Sequence, residues 1–197
     1  MAIHLTKEDH QEICDFAIDH GNDDINEIIR LIQQQLLEKH GIAIVNDGWY
    51  IYEGFGTAYY ILVLHLSLSQ YFIVWGSRLP IGPAYSGRYE SDIQGIVLKG
   101  SCSMSYEKTP TQILTCEVGD SYELKNMESD VYHCQNGDTW VCEFADGNIT
   151  STAYMGLIYA IPFVLETWDL KSIWKLIKMG YHRIFGGIEK MKKITLE

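Results

Sequence analysis

Between Trp49 and Ala145, Tyr, Ile, Val, Thr and Trp recur in short runs separated by Gly, Pro, Asn and Asp. β-branched and aromatic side chains suit the pleated surface of a strand, and the separating residues supply the turns. The pattern predicts many short antiparallel strands, either closed as a barrel or stacked as a sandwich. Helical periods flank this region. Thr6 followed by Asp9 is a capping-box signature for a helix over residues 7–19. Asn22 is the predicted cap of a second helix ending at Gly41, along which Ile25, Ile28, Ile29, Ile32, Leu36 and Leu37 recur at helical spacing. The fold class expected is mostly β with flanking helices, and 197 residues suffice for one domain spanning 1–197.

After Asn148 the helical period returns. Ala153 to Leu165 is almost uniformly apolar, at 13 residues too short to span a bilayer. Beyond Asp169, Ile173, Leu176, Ile177, Gly180, Tyr181 and Ile184 fall on one side of a helix, and Lys171, Lys175, Lys178 and His182 on the other. The charge is unevenly spread: residues 169–197 carry seven basic and three acidic side chains, whereas the whole chain has a formal charge of −11. A basic, amphipathic end with Trp168 and Trp174 near its start suits either an interface with anionic lipid or a stripe packed on the strands. The acidic balance argues against nucleic acid as a partner.

The five cysteines, Cys14, Cys102, Cys116, Cys134 and Cys142, include no CxxC pair and no zinc-type spacing with histidine, so reduced, buried thiols are expected and no metal. His-x-His, phosphate-loop, Rossmann and nucleophile-elbow patterns are likewise missing from the sequence.

Glu143 is the unusual residue of the strand region. Along Thr139–Ala145, alternation sends Trp140, Cys142 and Phe144 to one face and Thr139, Val141, Glu143 and Ala145 to the other, and both faces are mostly apolar. A carboxylate beside Val141 and Ala145 must raise its pKa, find a partner, or reach solvent at a strand end.

Three blocks carry a family resemblance: Leu64-His65-Leu66-Ser67-Leu68-Ser69-Gln70-Tyr71-Phe72-Ile73-Val74-Trp75-Gly76, then Ser86-Gly87-Arg88-Tyr89, then Asp138-Thr139-Trp140-Val141-Cys142-Glu143. In order and spacing they resemble the family that joins fungal C-8 sterol isomerase to the sigma-1 receptor. Leu5 to Ile13, Trp49 and Asn148 to Thr152 extend the resemblance over nearly the whole chain. It implies a cupin-like antiparallel β-barrel with two N-terminal helices and two amphipathic C-terminal helices over 153–188 that face a membrane. It also implies a cofactor-free sterol isomerase moving a ring double bond from carbon 8 to carbon 7, with Glu143 as acid and base. The alternative is a non-catalytic sigma receptor-like protein that binds sterols or lipophilic amines. Tyr71, Ile73, Trp75, Tyr89, Ile93, Val141 and Thr152 are the implied ligand-binding wall. A homo-oligomer, commonly a trimer, and peripheral or monotopic attachment to the membrane, that of the endoplasmic reticulum in a eukaryote, complete the expectation.

Receptor-type members carry a second acid where this chain has Gly95, and Asp92 falls on the opposite face of its strand. His133 is the candidate partner for Glu143. A three-residue loop at Asn136-Gly137-Asp138 would pair His133 with Val141, diagonally from Glu143; a two-residue turn at Asn136-Gly137 would instead bring Tyr132 and Cys134 to that face.

Overall fold

The computed structural model describes residues 4–42, 44, 48–54, 57–151 and 174. Thr152 and the helices expected over 153–188 lie outside the described residues, Trp174 excepted. Among the described residues no helix is long and apolar enough to cross a membrane.

Helix α1 spans Lys7–His20 and α2 spans Ile25–Glu38. The capping box forms: the Thr6 side chain accepts from the Asp9 N–H while the Asp9 carboxylate accepts from the Thr6 N–H at 2.9 Å. The cap of α2 is Asp24 rather than Asn22. Asn22 and Asp23 both take left-handed backbone, with φ of 51° and 58°, so the turn after α1 uses them up before the second helix begins. Gly41, with φ of 64°, ends the α2 segment by turning the Ile42 N–H back to the Leu36 carbonyl at 2.8 Å.

Ten strands are described: β1 Tyr50–Gly54, β2 Thr57–Leu66, β3 Gln70–Ser77, β4 Ile81–Tyr85, β5 Ser91–Lys99, β6 Cys102–Tyr106, β7 Leu114–Cys116, β8 Ser121–Leu124, β9 Asp130–Cys134 and β10 Thr139–Gly147. They form a six-stranded sheet ordered β1-β2-β3-β10-β5-β8 and a four-stranded sheet ordered β4-β9-β6-β7, with every pairing antiparallel. The architecture is mostly β, two antiparallel sheets with flanking helices.

Alternation along β3 and β10 divides the core. Phe72, Val74, Cys142 and Phe144 face outward and pack with Ile13, Ile28, Ile32 and Leu36 of the helices. Burying each such side chain contributes about 1.5–3 kcal/mol, and this fixes the helices on the back of the larger sheet. Trp75 and Val141 face inward, with Ile81, Cys102, Met104 and Cys134 of the smaller sheet. The space between the sheets is therefore walled by both.

β9 and β10 do not form a hairpin. β10 lies between β3 and β5, while β9 lies between β4 and β6 in the other sheet. Gly137 and Asp138, with φ of 67° and 43°, carry the chain across from one sheet to the other. His133 consequently pairs with Ser103, not with Val141.

Candidate active site

Glu143 occupies the centre of β10, opposite Ile73 on β3 and Gly95 on β5. Its carboxylate accepts a hydrogen bond from the Tyr71 hydroxyl and, at 3.0 Å, one from the Trp75 indole N–H. Tyr71 and Trp75 precede and follow Ile73 by two residues on β3, so one strand delivers a donor from each side of the acid. Glu143 is half-buried by surface area, yet desolvation is the main influence on its titration and raises its pKa above the usual glutamate value. The carboxyl is set in a recess between Tyr71 and Trp75, where the surrounding protein desolvates it. The donors from Tyr71 and Trp75 pull in the opposite direction without cancelling the burial.

Tyrosines surround this acid. Tyr59 sits with its ring 5.3 Å from Trp75, and Tyr132 lies 5.5 Å from the same indole. Tyr122 belongs to the same inner cluster. Burial pushes the phenols of Tyr59, Tyr71, Tyr122 and Tyr132 up, and the nearby Glu143 charge pushes them further. At neutral pH all four are neutral phenols, and Tyr71 is the one that donates to the carboxyl.

The structure brings most of the sequence-predicted residues together. Tyr71, Ile73, Trp75 and Val141 adjoin Glu143 along β3 and β10. Ile93 pairs with Ala145 one step further along and shares a cluster with Tyr71, against which Tyr89 packs. His133 is the exception. Alternation turns it away from Tyr132 and Cys134, whose side chains fill the interior, towards the outer face with Ser103. The hairpin register from which its pairing with Glu143 was expected does not form. Tyr59, Tyr122 and Tyr132 were missed; only the two-residue turn reading placed Tyr132 on the acid's face.

A second set of donors lies behind the larger sheet. One ring nitrogen of His10 and the sulfurs of Cys14 and Cys142 all fall within 4.8 Å of one another, and all three residues are buried. His10 Nδ1 lies 2.9 Å from Gln94 Oε1, while Nε2 has no partner among the described residues. These groups face α1 and are separated from Glu143 by the sheet itself.

The profile of the family described as ERG2 and Sigma1 receptor like protein matches residues 2–192. The sigma non-opioid intracellular receptor 1 of Taricha granulosa is 29% identical over 166 residues, covering 83% of this chain and 72% of the receptor. The protein erg2 homolog of Dictyostelium discoideum is 27% identical over 126 residues, covering 64% of this chain and 53% of that protein. Among solved structures, KdgF from Halomonas sp. aligns with a TM-score of 0.45 at 12% identity, over 54% of this chain and 94% of its own. The extent of the profile match, rather than any single pairwise identity, makes the assignment: the chain belongs to the ERG2 and sigma-1 receptor-like family.

Proposed function

We propose that the space between the sheets binds a sterol and that Glu143 is the principal acid–base group of a carbon 8 to carbon 7 double-bond shift. The observation that carries this reading is a recessed carboxyl with a raised pKa, held by Tyr71 and Trp75 among apolar and aromatic walls. Protonating the ring alkene at carbon 9 leaves a tertiary cation at carbon 8. Loss of a proton from carbon 7 then completes the shift, with every atom conserved apart from exchange of a proton. A negative group already oriented by two donors stabilises that cation without reorganising at the moment of reaction. A raised pKa keeps part of the carboxyl population protonated nearer neutrality, as proton transfer in both directions requires.

Ile73, Ile93 and Val141 supply apolar contact for the ring system, and Tyr89 and Thr152 are assigned to the same wall. The chain is further proposed to meet a membrane through residues 153–188, whose basic, amphipathic pattern suits a lipid surface, and to form a homo-oligomer. A lipophilic substrate reaches the site most directly from such a surface.

The alternative is a receptor-like reading: Gly95 leaves Glu143 without a second carboxyl from the neighbouring strand, a departure from the receptor-type pattern that leaves binding and catalysis both open. In that reading a lipophilic ammonium ion takes the place of the cation and no bond is made or broken. Incubation with a sterol bearing the carbon 8 double bond in heavy water separates the two. Isomerisation places solvent deuterium in the product; amine binding that depends on Glu143, with no deuterium incorporated, identifies the receptor.

A further inference from the structure

The interior contains a second acid that no neighbouring strand of Glu143 provides. Asp130 opens β9, and alternation places it on the same face as Tyr132 and Cys134. Tyr132 lies 5.5 Å from Trp75, and Trp75 donates to Glu143, so the two carboxyls belong to opposite walls of one interior. Asp130 is only 4% exposed, and its Oδ1 is buried with no hydrogen-bond partner among the described residues. Ser86 engages its main chain: the Asp130 N–H donates to Ser86 Oγ at 3.0 Å, and Ser86 Oγ donates to the Asp130 carbonyl at 3.3 Å.

The two acids are thus unequally provided for. Glu143 has two donors aimed at its oxygens, an arrangement suited to the charged form. Asp130 keeps one bare oxygen in a buried setting, which penalises the charge, and the hydrogen bonding from Ser86 and the main chain that favours the charge does not cancel the burial. Burial raises the pKa of Asp130, and the Asp130 charge in turn raises that of Glu143. Two carboxyls on facing walls of one interior do not ionise together cheaply, and the one with two donors aimed at its oxygens keeps the charge. Tyr106, Tyr122 and Cys102 also feel the Asp130 charge; burial leads for the two tyrosines and a hydrogen bond with Cys134 for Cys102, and all three are held in their neutral forms.

We propose that Asp130 is the second acid of this site: the neutral carboxyl that delivers the proton, leaving Glu143 as the carboxylate that holds the cation and removes the second proton. The proposal rests on the isomerase reading above. The Asp130 O–H bond breaks as the carbon 9–hydrogen bond forms from the alkene pair. The carbon 7–hydrogen bond then breaks, its electrons form the new double bond, and its proton passes to Glu143. Proton exchange with water returns both groups to their starting forms.

Asp130→Asn is the test, because asparagine matches a neutral aspartic acid in shape and the variant should keep its thermal midpoint. With a carbon 8-unsaturated sterol in heavy water, deuterium incorporation by the full chain should fall about 100-fold or more in Asp130→Asn, with partial return in Asp130→Glu. Carbon-13 NMR of labelled carboxyls should show Asp130 keeping its proton to higher pH than Glu143, and Glu143→Gln should lower the Asp130 titration. Undiminished turnover in Asp130→Asn, or Glu143 titrating above Asp130, overturns the proposal. Absence of deuterium incorporation by the wild-type chain removes the isomerase reading instead, and the order of titration then decides the assignment of Asp130 by itself.

Discussion

Tyr122 occupies the space that a side chain at Gly95 would need: a Cβ built on Gly95 would stand 2.1 Å from Cζ of the Tyr122 ring and 2.4 Å from its hydroxyl oxygen. Gly95 pairs with Tyr122 on β8 and with Glu143 on β10, so the missing side chain on one strand is what lets an aromatic ring from the next approach the acid. The absent carboxyl at position 95 and the present phenol at position 122 are a single packing solution.

Gly95→Asp should therefore be destabilising even though its backbone is ordinary strand. Overpacking costs about 1–3 kcal/mol, and a second buried charge beside Glu143 adds to it. Combining it with Tyr122→Val should recover most of the loss. Urea unfolding of the two single variants and the double variant checks this; a Gly95→Asp chain as stable as wild type would mean that the ring moves aside freely.

Glu143→Gln tests the recess through stability. The folded carboxyl has a pKa above the usual glutamate value of 4.5, so the folded state binds more protons than the unfolded chain once the pH exceeds that value. Wild-type stability from this group thus declines as pH rises from about 4.5 through the folded pKa, and is undiminished below it. The neutral variant lacks this decline. Unfolding free energies measured across pH should shift progressively in favour of Glu143→Gln, and parallel curves would show that the carboxyl is not desolvated.

Legibility differed between fold and site for physical reasons. Alternation along residues 139–145 correctly separates Glu143 from Cys142 and Phe144, because a six-stranded sheet with helices on one face buries both sides of its central strand. The capping box at Thr6 is a local interaction and was readable in four residues. Which strand neighbours which is not local. Asn136-Gly137-Asp138 looks like a hairpin loop, yet its left-handed Gly137 and Asp138 lead the chain into another sheet. Asp130 escaped notice for that reason: its bearing on Glu143 depends on two sheets facing each other, not on distance along the chain.

His133→Asn supplies a direct check of that topology. With the imidazole on the outer face opposite Ser103, its replacement should leave the Glu143 titration and any turnover at wild-type values. A shifted Glu143 pKa would place the ring inside after all.

Tyr71→Phe isolates the donor that the strand geometry aims at Glu143. The phenol hydrogen bond favours the carboxylate, so removing it should move the Glu143 pKa upward, with the Trp75 N–H left as the donor to its other oxygen. A hydrogen bond to a charged group is worth about 1.5–3 kcal/mol, and the loss applies only while Glu143 is ionised. The variant should therefore approach wild-type stability in acid and fall behind it as the pH rises, which is opposite in sign to Glu143→Gln. Affinity for a lipophilic ammonium probe should drop in the same pH range, because fewer carboxyls carry the charge it pairs with. Carbon-13 titration of Glu143 alongside probe binding tests both effects, and a Tyr71→Phe chain with an unmoved or lowered Glu143 pKa would show that the phenol is packing, not electrostatic support.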